Sequence, residues 1–311
     1  MKKKNLLLAV MIITLCFISA CSKNKKDDGK LHIVCTIFPQ YDFVKQITKD
    51  IPDVEVSMLL KPGQESHDYD PSSKDILAIH DADMFIYVGG ESDTWIDDVL
   101  STVTNDKQIR LALMDMVDVH EEEDVNEHGH NHEHEEYDEH VWTSPANAVK
   151  ITKVISENLL KIIDEKYKNE LKDATDKYIE ELNMLDEDIR EVVDNGNKKY
   201  MVVADRFPLL YFCKEYGIEY YAAFSGCATN VEPSTATLIR MINKVKELDL
   251  KYIFTIEMSA KTTANQVAAE TGADILTFYS CHNVTTKELN NGVTYVSLMR
   301  ENLDSLKKAL K

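Results

Sequence analysis

Basic residues are scarce in this chain. Its 311 residues include 35 lysines and arginines against 54 aspartates and glutamates, which gives a formal net charge of -19. Nucleic acids and anionic membrane surfaces repel a chain with this excess of negative charge. The composition therefore argues against both as partners and suits a protein that attracts cations.

The apolar run at the start of the chain is short. It extends from Leu6 to Ile18 behind three lysines, whereas a membrane-spanning helix requires roughly 20 apolar residues. The run ends in the sequence ISAC, which resembles a bacterial lipobox and whose cysteine is Cys21. We therefore predict a lipoprotein signal peptide at 1–20, a flexible tether at 21–30, and an extracytoplasmic protein anchored to the bacterial cell membrane by lipid on Cys21.

Cysteine is also sparse, with six residues. Cys16 belongs to the predicted signal peptide and Cys21 is the predicted lipid anchor. The remaining four form no Cys-x-x-Cys pair, which argues against a structural zinc knuckle. The sequence also lacks a His-Glu-x-x-His motif, so it does not favour a zinc hydrolase.

Short apolar runs alternate with segments of helical spacing twice along the chain. The first block begins with LHIVCTIF (31–38) and the second begins with KYMVVA (199–204). Strands that alternate with helices predict βαβ units on parallel sheets. We therefore predict an α/β protein with two similar lobes, an N-terminal lobe at 31–165 and a C-terminal lobe at 197–311.

A long amphipathic segment lies between the two blocks. Its apolar residues recur close to the 3.6-residue period from Leu171 to Val193, and no glycine or proline interrupts it before Gly196. At 1.5 Å per residue, such a helix is about 35–40 Å long. We predict that 166–196 forms a rigid helix linking the lobes, with a surface helix inside one lobe as the alternative.

Two histidines occupy matching positions between a strand-like run and a helix start. His67 precedes Ser72 and Ser73, either of which could cap a helix, and His140 precedes the helix-starting sequence Thr-Ser-Pro that ends at Pro145. Open α/β sheets bind ligands beyond the carboxyl ends of their strands, and imidazole is a usual zinc ligand. The pair therefore indicates a metal site, although either histidine alone is more typical of a solvated loop.

The motifs around these histidines resemble those of the solute-binding lipoproteins of zinc and manganese ABC importers. SHDYDPSSKDI resembles the family's Pro-His-x-Tyr-Glu-Pro-Ser motif, with Ser66 and Asp70 as departures. DEHVWTSP resembles Asp-Pro-His-x-Trp-x-[Ser/Asn]-Pro, with Glu139 in place of proline. The resemblance covers nearly the whole mature chain and implies that His67 and His140 are the first and second metal ligands.

The resemblance also implies an architecture and a function. The family has two lobes, a rigid linking helix, and one metal ion in the cleft between the lobes. It implies a monomeric, non-enzymatic protein that captures zinc and delivers it to the membrane permease of an ABC importer. A manganese-binding member of the same family, a surface adhesin and a zinc-dependent hydrolase are the alternatives.

The C-terminal lobe departs from the family pattern. The segment VADRFPLLYFCKEYGI places Arg206 where the family has its third histidine, and arginine does not ligate cations. His282 follows a predicted strand and has no other histidine near it in this lobe, so the expected third ligand is His282. Asp205, Glu257 and Cys281 are additional or alternative ligands.

Three roles remain open for Cys281. It could ligate metal as a thiolate, pair with Cys227 in a disulfide that braces two cleft loops, or remain a plain thiol. An exported protein permits disulfides without requiring them, and sequence alone does not determine which cysteines pair.

A histidine-rich acidic segment at 118–135 precedes His140. Its histidines follow neither a helical nor a strand period, so we predict a disordered loop that attracts metal through His120, His128, His130, His132 and His134. A solvated acidic insertion is the alternative. Such a loop is typical of the zinc-type members of the resembled family, and imidazole-rich sites favour zinc over manganese. We therefore expect Zn²⁺ as the bound ion, with Mn²⁺ less favoured.

Overall fold

Two parallel β-sheets, one in each half of the chain, form the centre of the protein. The structure is a computed structural model that describes residues 28–64, 69–122, 137–226 and 233–311. The predicted signal peptide and Cys21 lie outside these ranges. Of the first thirty residues, 28–30 are described, and they form neither helix nor strand. Residues Leu31–Lys311 form one compact unit.

Each sheet has four parallel strands. The strands are β1 (Leu31–Cys35), β2 (Val54–Met58), β3 (Met84–Tyr87), β4 (Ile109–Ala112), β5 (Tyr200–Phe207), β6 (Glu219–Ser225), β7 (Tyr252–Ile256) and β8 (Asp274–Phe278). Their order is β2-β1-β3-β4 in the first sheet and β6-β5-β7-β8 in the second. The central strands are short apolar runs buried on both faces, as is usual for parallel sheets covered by helices.

The strand orders of the two sheets are the same, with the first strand of each half in an inner position. In the first sheet, β2 lies on one side of β1 and β3 lies on the other, so the direction of the connections reverses between β1 and β3. The second sheet reverses in the same way between β5 and β7. Open α/β sheets bind their ligands in the crevice at such a point, beyond the carboxyl ends of the strands. The topology thus places one such crevice in each half of the chain.

Ten α-helices connect and cover the strands in the described part of the chain. They are α1 (Phe38–Thr48), α2 (Ser73–Asp81), α3 (Trp95–Thr102), α4 (Pro145–Ile162), α5 (Lys168–Asp194), α6 (Leu210–Tyr216), α7 (Thr235–Glu247), α8 (Thr262–Thr271), α9 (Thr286–Asn290) and α10 (Tyr295–Ala309). Ser72 caps α2 and Ser144 caps α4, and each hydroxyl accepts a hydrogen bond from the third helical residue. Both capping serines lie where the sequence predicts them.

Helix α5 joins the two halves. It has 27 residues, which corresponds to a length of about 40 Å. Its buried face repeats every three or four residues from Leu171 to Val193, as the sequence predicts. This face packs on α1 and α4 of the first half and on α6 and α10 of the second half. We call β1–β4 with α1–α4 the N-terminal lobe, and β5–β8 with α6–α10 the C-terminal lobe.

The start of α10 is bound to the N-terminal lobe. The backbone N–H of Tyr295 donates to Oδ2 of Asp42 on α1 at 2.8 Å, and its hydroxyl donates to the carbonyl of Trp142 at 2.8 Å. The Tyr295 ring also packs edge-on against Phe43, with the centroids 5.1 Å apart. One hydrophobic core continues through this contact from the first sheet to the second. The lobes are therefore joined by packed side chains as well as by α5.

The observed architecture confirms the fold predicted from the sequence, with two similar α/β lobes, two parallel sheets and a long linking helix. Neither strand β4 nor the short helix α9 was predicted from the sequence. No helix among the described residues combines the length and the apolar character needed to cross a membrane.

Candidate metal centre

A cavity lies where the carboxyl ends of β5, β7 and β8 approach the segment between β4 and α4. Its volume is about 180 Å³. The described lining residues are Gly63, Gln64, His140, Arg206, Pro208, Gly226, Ile256, Glu257, Met258, Ser280, His282 and Asn283. Both lobes contribute to this lining, so the cavity is the cleft site that the topology leads one to expect.

His140 is almost completely buried, with 1% of its surface exposed. Oδ1 of Asp138 accepts hydrogen bonds from the His140 backbone N–H at 2.8 Å and from Nδ1 of its ring at 3.2 Å. A carboxylate accepts and does not donate, so in the neutral ring Nδ1 carries the proton and Nε2 has the lone pair. A carboxylate behind the distal nitrogen is the usual way to orient a metal-binding histidine.

The electrostatic surroundings of His140 are acidic. Burial lowers the pKa of the ring, but the nearby carboxylates of Asp138, Glu139 and Glu122 oppose this effect, and the net direction of the pKa is upward. These carboxylates stabilise positive charge on or beside the ring. The N-terminal side of the cavity therefore favours a cation.

Asp138 is itself held by a residue of the C-terminal lobe. The Tyr211 hydroxyl donates to the Asp138 carbonyl at 2.7 Å and accepts from the His120 backbone N–H at 3.1 Å. The Asp138 N–H in turn donates to the His120 carbonyl at 2.9 Å. The His120 and Tyr211 rings pack with their centroids 5.1 Å apart. An interlobe contact thus supports the residue that orients His140.

The same contact forms the base of the histidine-rich loop. Glu121 and Tyr137 pair as an isolated antiparallel bridge, which brings the two ends of the loop together. His120 lies at this base and does not line the cavity. Residues 123–136, with His128, His130, His132 and His134, lie outside the described residues.

His282 reaches the cavity from the C-terminal lobe. Its ring centroid lies 5.5 Å from that of His140 and 5.1 Å from that of Trp142. The Trp142 ring is 1% exposed, and its N–H donates to the Ser280 carbonyl at 2.9 Å. An indole of the N-terminal lobe thus holds the segment that carries His282.

Glu257, the residue after β7, binds this segment from the other side. Oε2 accepts from the Ser280 N–H at 2.7 Å, while Oε1 accepts from the Ser280 hydroxyl at 2.6 Å and from the His282 N–H at 3.2 Å. Burial raises the pKa of Glu257, and these hydrogen bonds oppose that increase. Both oxygens are therefore engaged in positioning His282.

The two neighbouring residues at the end of β5 have different environments. Arg206 lines the cavity, whereas Asp205 is not among the described lining residues. Oδ1 of Asp205 accepts from the Arg206 N–H at 2.9 Å, and Oδ2 is buried without a hydrogen-bond partner among the described residues. A register shift between Val203 and Arg206 interrupts the pairing of β5 with β6 at this point. The arginine, not the aspartate, faces the cavity.

Cys281 lies away from the cavity. It is a free thiol with 0% exposure, and burial raises its pKa well above the usual range. A buried neutral thiol does not suit a thiolate ligand. Cys227, its alternative disulfide partner, lies outside the described residues, so that pairing stays a prediction.

The structure brings together two of the three histidines predicted as ligands. His140 and His282 share the cavity, while His67 lies outside the described residues. Sequence reasoning did not assign the supporting roles of Asp138, Trp142 and Tyr211. The DEHVWTSP motif contains the first two and was the available signal, but the contact with Tyr211 joins residues 73 positions apart.

Comparison with known proteins identifies close relatives of this chain. The zinc-binding lipoprotein AdcA of Streptococcus pneumoniae is 35% identical over 99% of this chain and 61% of its own length. This chain therefore spans about three fifths of the streptococcal relatives it matches. The high-affinity zinc uptake system protein ZnuA of Bacillus subtilis is 32% identical, and the alignment covers 97% of both chains.

The fold comparison agrees with the sequence comparison. A crystal structure of the Zn(II)-bound ZnuA-like domain of Streptococcus pneumoniae AdcA matches with a TM-score of 0.74 and 29% identity, covering 91% of this chain and 99% of that domain. A family model described as "Zinc-uptake complex component A periplasmic" matches residues 33–309. A match over this length shows that the chain belongs to the ZnuA family.

Proposed function

We propose that this chain captures zinc outside the cytoplasmic membrane and delivers it to the permease of an ABC importer. The observation that carries the proposal is the pair formed by His140 and His282, whose ring centroids lie 5.5 Å apart in one cavity. With Zn–N bonds of about 2.0–2.1 Å and tetrahedral angles, two imidazoles on one zinc ion have centroids about 5 Å apart. The observed separation fits one shared ion.

A transport function requires that metal binding change the arrangement of the lobes. A ligand can shift a conformational equilibrium only if it interacts differently with the two states. His140 belongs to the N-terminal lobe and His282 to the C-terminal lobe, so an ion bound by both favours the closed arrangement. His67 is our third ligand, on the strength of its motif and its strand-to-helix position in the sequence.

The donor set favours zinc as the cargo. Imidazole nitrogen suits zinc, whereas manganese prefers carboxylate and other oxygen donors. Among the described lining residues, Glu257 carries the one carboxylate. Its two oxygens already accept three hydrogen bonds from Ser280 and His282. The names of the AdcA and ZnuA relatives, which are described as zinc-binding and as a zinc uptake protein, support the same ion.

A binding role fits this cavity better than catalysis. A zinc hydrolase needs a general base beside an open coordination position. Glu257 is the nearest candidate, but its hydrogen bonds to Ser280 and His282 hold it as a structural acceptor. The residues of the cavity therefore suit the capture and release of a metal ion.

The sequence and the names of the relatives support a proposed location and partner. Lipid on Cys21 would hold the protein at the outer face of the cell membrane, with 21–30 as the tether. The name of the pneumococcal relative, zinc-binding lipoprotein, supports this anchor. The protein would act as a monomer beside its permease, and the loop histidines His120, His128, His130, His132 and His134 would raise the local zinc concentration.

Calorimetric titration of zinc into the metal-free protein tests the proposal. His140→Ala should weaken the tight site at least 100-fold, because it removes a ligand from a site of few donors. His80→Ala is the matched control, since His80 lies on α2, outside the cavity, with its Nε2 2.9 Å from the Thr102 hydroxyl. An affinity for His140→Ala within threefold of the wild-type value would contradict the proposal.

A further inference from the structure

We propose that Glu139 is a positioning residue for His140, and that its side chain fastens the turn carrying His140 to the loop between β3 and α3. The inference rests on the proposed function, because zinc binding by His140 is its readout. It follows from the contacts of the Glu139 side chain, from the backbone at His140 and from the space left at Gly90.

The backbone at His140 forms a tight turn. Its φ and ψ are -83° and 44°, and the Val141 N–H donates to the Glu139 carbonyl at 2.9 Å. A hydrogen bond across one residue with torsion angles close to these is typical of an inverse γ-turn. The Thr143 hydroxyl also donates to the His140 carbonyl at 2.8 Å. The direction of the His140 side chain therefore depends on how this turn is held.

The Glu139 side chain holds the turn to the N-terminal lobe. Glu139 is 4% exposed and is not among the described lining residues of the cavity. Its Oε1 accepts a hydrogen bond from the Ser92 N–H at 2.8 Å. Burying a carboxylate is costly unless it is hydrogen-bonded. The bond to Ser92 therefore keeps the carboxylate, and with it the turn, against the loop between β3 and α3.

This loop, residues 88–94, is itself attached to the sheet. Oδ2 of Asp93 accepts from the Val88 N–H at 2.7 Å and from the Gly89 N–H at 3.0 Å, which closes the loop on itself. The Val88 carbonyl accepts from the Met114 N–H at 3.0 Å, which joins the loop to the segment after β4. The loop therefore gives Glu139 a fixed point of attachment to the N-terminal sheet.

Gly90 leaves the space that the Glu139 side chain occupies. Its φ and ψ are -158° and -161°, an extended backbone that any residue adopts. A Cβ at this position would nevertheless lie 2.5 Å from Oε1 and 2.5 Å from Cγ of Glu139, well inside the about 3.5–4.0 Å of an ordinary carbon contact. Close packing, not backbone conformation, therefore requires glycine here, and Gly90 and Glu139 form a complementary pair.

His140 is thus restrained from two directions. Asp138 accepts from its Nδ1 and is held in turn by Tyr211 of the C-terminal lobe, whereas Glu139 attaches the turn to the N-terminal lobe. In the family motif a proline precedes the histidine, and proline restrains the backbone through its fixed φ. In this chain an anchored side chain supplies the restraint at that position.

Two substitutions of Glu139 separate the hydrogen bond from the charge in calorimetric zinc titrations. Glu139→Gln keeps an oxygen that can accept from the Ser92 N–H and should stay within about threefold of the wild-type affinity. Glu139→Ala removes the acceptor and should weaken zinc binding about tenfold or more, as is typical for the loss of a residue that orients a metal ligand. Glu91→Ala, which removes an exposed glutamate of the same loop, is the matched control and should leave the affinity nearly unchanged.

Gly90→Ala tests the same contact from the other side. Its Cβ should displace the Glu139 carboxylate from Ser92 and weaken zinc binding about as much as Glu139→Ala. Since both substitutions remove one contact, the Gly90→Ala/Glu139→Ala double variant should bind zinc as Glu139→Ala alone does.

Visible absorption of the cobalt-substituted protein distinguishes positioning from a merely structural role. The cobalt bands depend on the arrangement of the ligands around the ion. At saturating cobalt, the spectra of Glu139→Ala and Gly90→Ala should differ from the wild-type spectrum, whereas that of Glu139→Gln should match it. A merely structural role would lower the melting temperature and leave the saturated spectra unchanged.

The outcomes separate this inference from the proposed function. Wild-type zinc affinity and an unchanged cobalt spectrum in a folded Glu139→Ala protein would overturn the inference and leave zinc capture intact. Equal losses in Glu139→Gln and Glu139→Ala would overturn it as well, because they would assign the effect to charge. Failure of the wild-type protein to bind zinc would overturn both. If Glu139→Ala does not fold, Gly90→Ala decides, and an unchanged zinc affinity in that variant would overturn the inference.

Discussion

The two lobes share a strand order but differ in what they present at the cavity. The N-terminal lobe orients the His140 ring directly, through a carboxylate hydrogen bond to Nδ1, and surrounds it with acidic groups. The C-terminal lobe holds His282 through its backbone N–H and adds the guanidinium of Arg206. One side of the cavity therefore favours a cation, and the other side combines a ligand with a fixed positive charge.

This difference separates what topology determines from what individual residues determine. The equivalent strand orders place the carboxyl ends of both sheets toward a cleft, whatever the side chains there. The groups that are hydrogen-bonded to each histidine then set how rigidly its ring is held. Four experiments test this contrast, from the largest expected effect to the smallest.

The largest effect should come from the C-terminal ligand. His282→Ala should weaken zinc binding by two to three orders of magnitude, or about 3–4 kcal/mol, and should abolish zinc-induced compaction in small-angle scattering. Asp205→Ala is the matched variant in the same lobe and should leave both nearly unchanged, since Asp205 does not line the cavity. If Asp205→Ala removes binding and compaction while His282→Ala preserves them, the ligand assignment is wrong.

The interlobe carboxylate of Asp42 should make stability depend on pH. Burial raises its pKa to about 6, against about 3.9 in an unfolded chain. Between these values the folded state binds more protons, so this group reduces stability as pH rises, by about 3 kcal/mol in all. In Asp42→Asn this loss is absent, and stability relative to wild type should increase from pH 4 to pH 7 in denaturant unfolding.

Asp93 provides the comparison within the N-terminal lobe. Burial raises the pKa of Asp93 to about 6 as well, although its partners are the N–H groups of Val88 and Gly89. Asp93→Asn should therefore show the same sign of pH dependence without touching the interlobe contact. Parallel stability curves for wild type and Asp42→Asn would contradict the prediction for Asp42.

The support of His140 should have a smaller effect on zinc binding than the ligand itself. Asp138→Asn keeps an oxygen that can accept from Nδ1 but removes the charge behind the ring. Loss of such an outer partner typically costs 10–100-fold in metal affinity, and calorimetry should give a value in about that range. Zinc affinity equal to wild type would show that the negative charge of Asp138 does not contribute to zinc binding.

The histidine-rich loop should contribute least to the tight site. Deletion of 123–134 keeps His120 and the Glu121–Tyr137 bridge, so calorimetry should retain one tight zinc ion and lose weaker equivalents. Deletion of 118–135 also removes the His120 contacts to Tyr211 and Asp138. Two lost hydrogen bonds are worth about 2 kcal/mol of stability, and they act on His140 only through Asp138, so the tight site should weaken about tenfold or less. Loss of the tight site in the shorter deletion would contradict this view of the loop.

The sequence predicted most of the fold because its signals are local. The apolar runs of the strands, the capping serines Ser72 and Ser144, and the unbroken period of α5 each depend on neighbouring residues. The positions of His140 and His282 at strand-to-helix connections were predictable for the same reason. Helix α9 is too short to have a readable period.

The interlobe details could not be predicted from one sequence. The Tyr211 hydrogen bond to Asp138 and the Trp142 hydrogen bond to Ser280 join residues 73 and 138 positions apart. Nothing in the local sequence indicates that Cys281 turns into the core while its neighbour His282 faces the cavity. Such features depend on how two lobes pack, which requires the three-dimensional arrangement.

The position of Trp142 provides the protein with its own optical reporter. Its indole ring lies 5.4 Å from the His140 ring and 5.1 Å from the His282 ring. Indole fluorescence is quenched by protonated imidazole and responds to nearby charge, so its emission depends on the state of both rings. The chain has two tryptophans, and the other, Trp95, lies against Tyr69 in the N-terminal lobe. With Trp95 replaced by phenylalanine, the remaining emission would follow occupancy of the cavity in real time, without an attached dye.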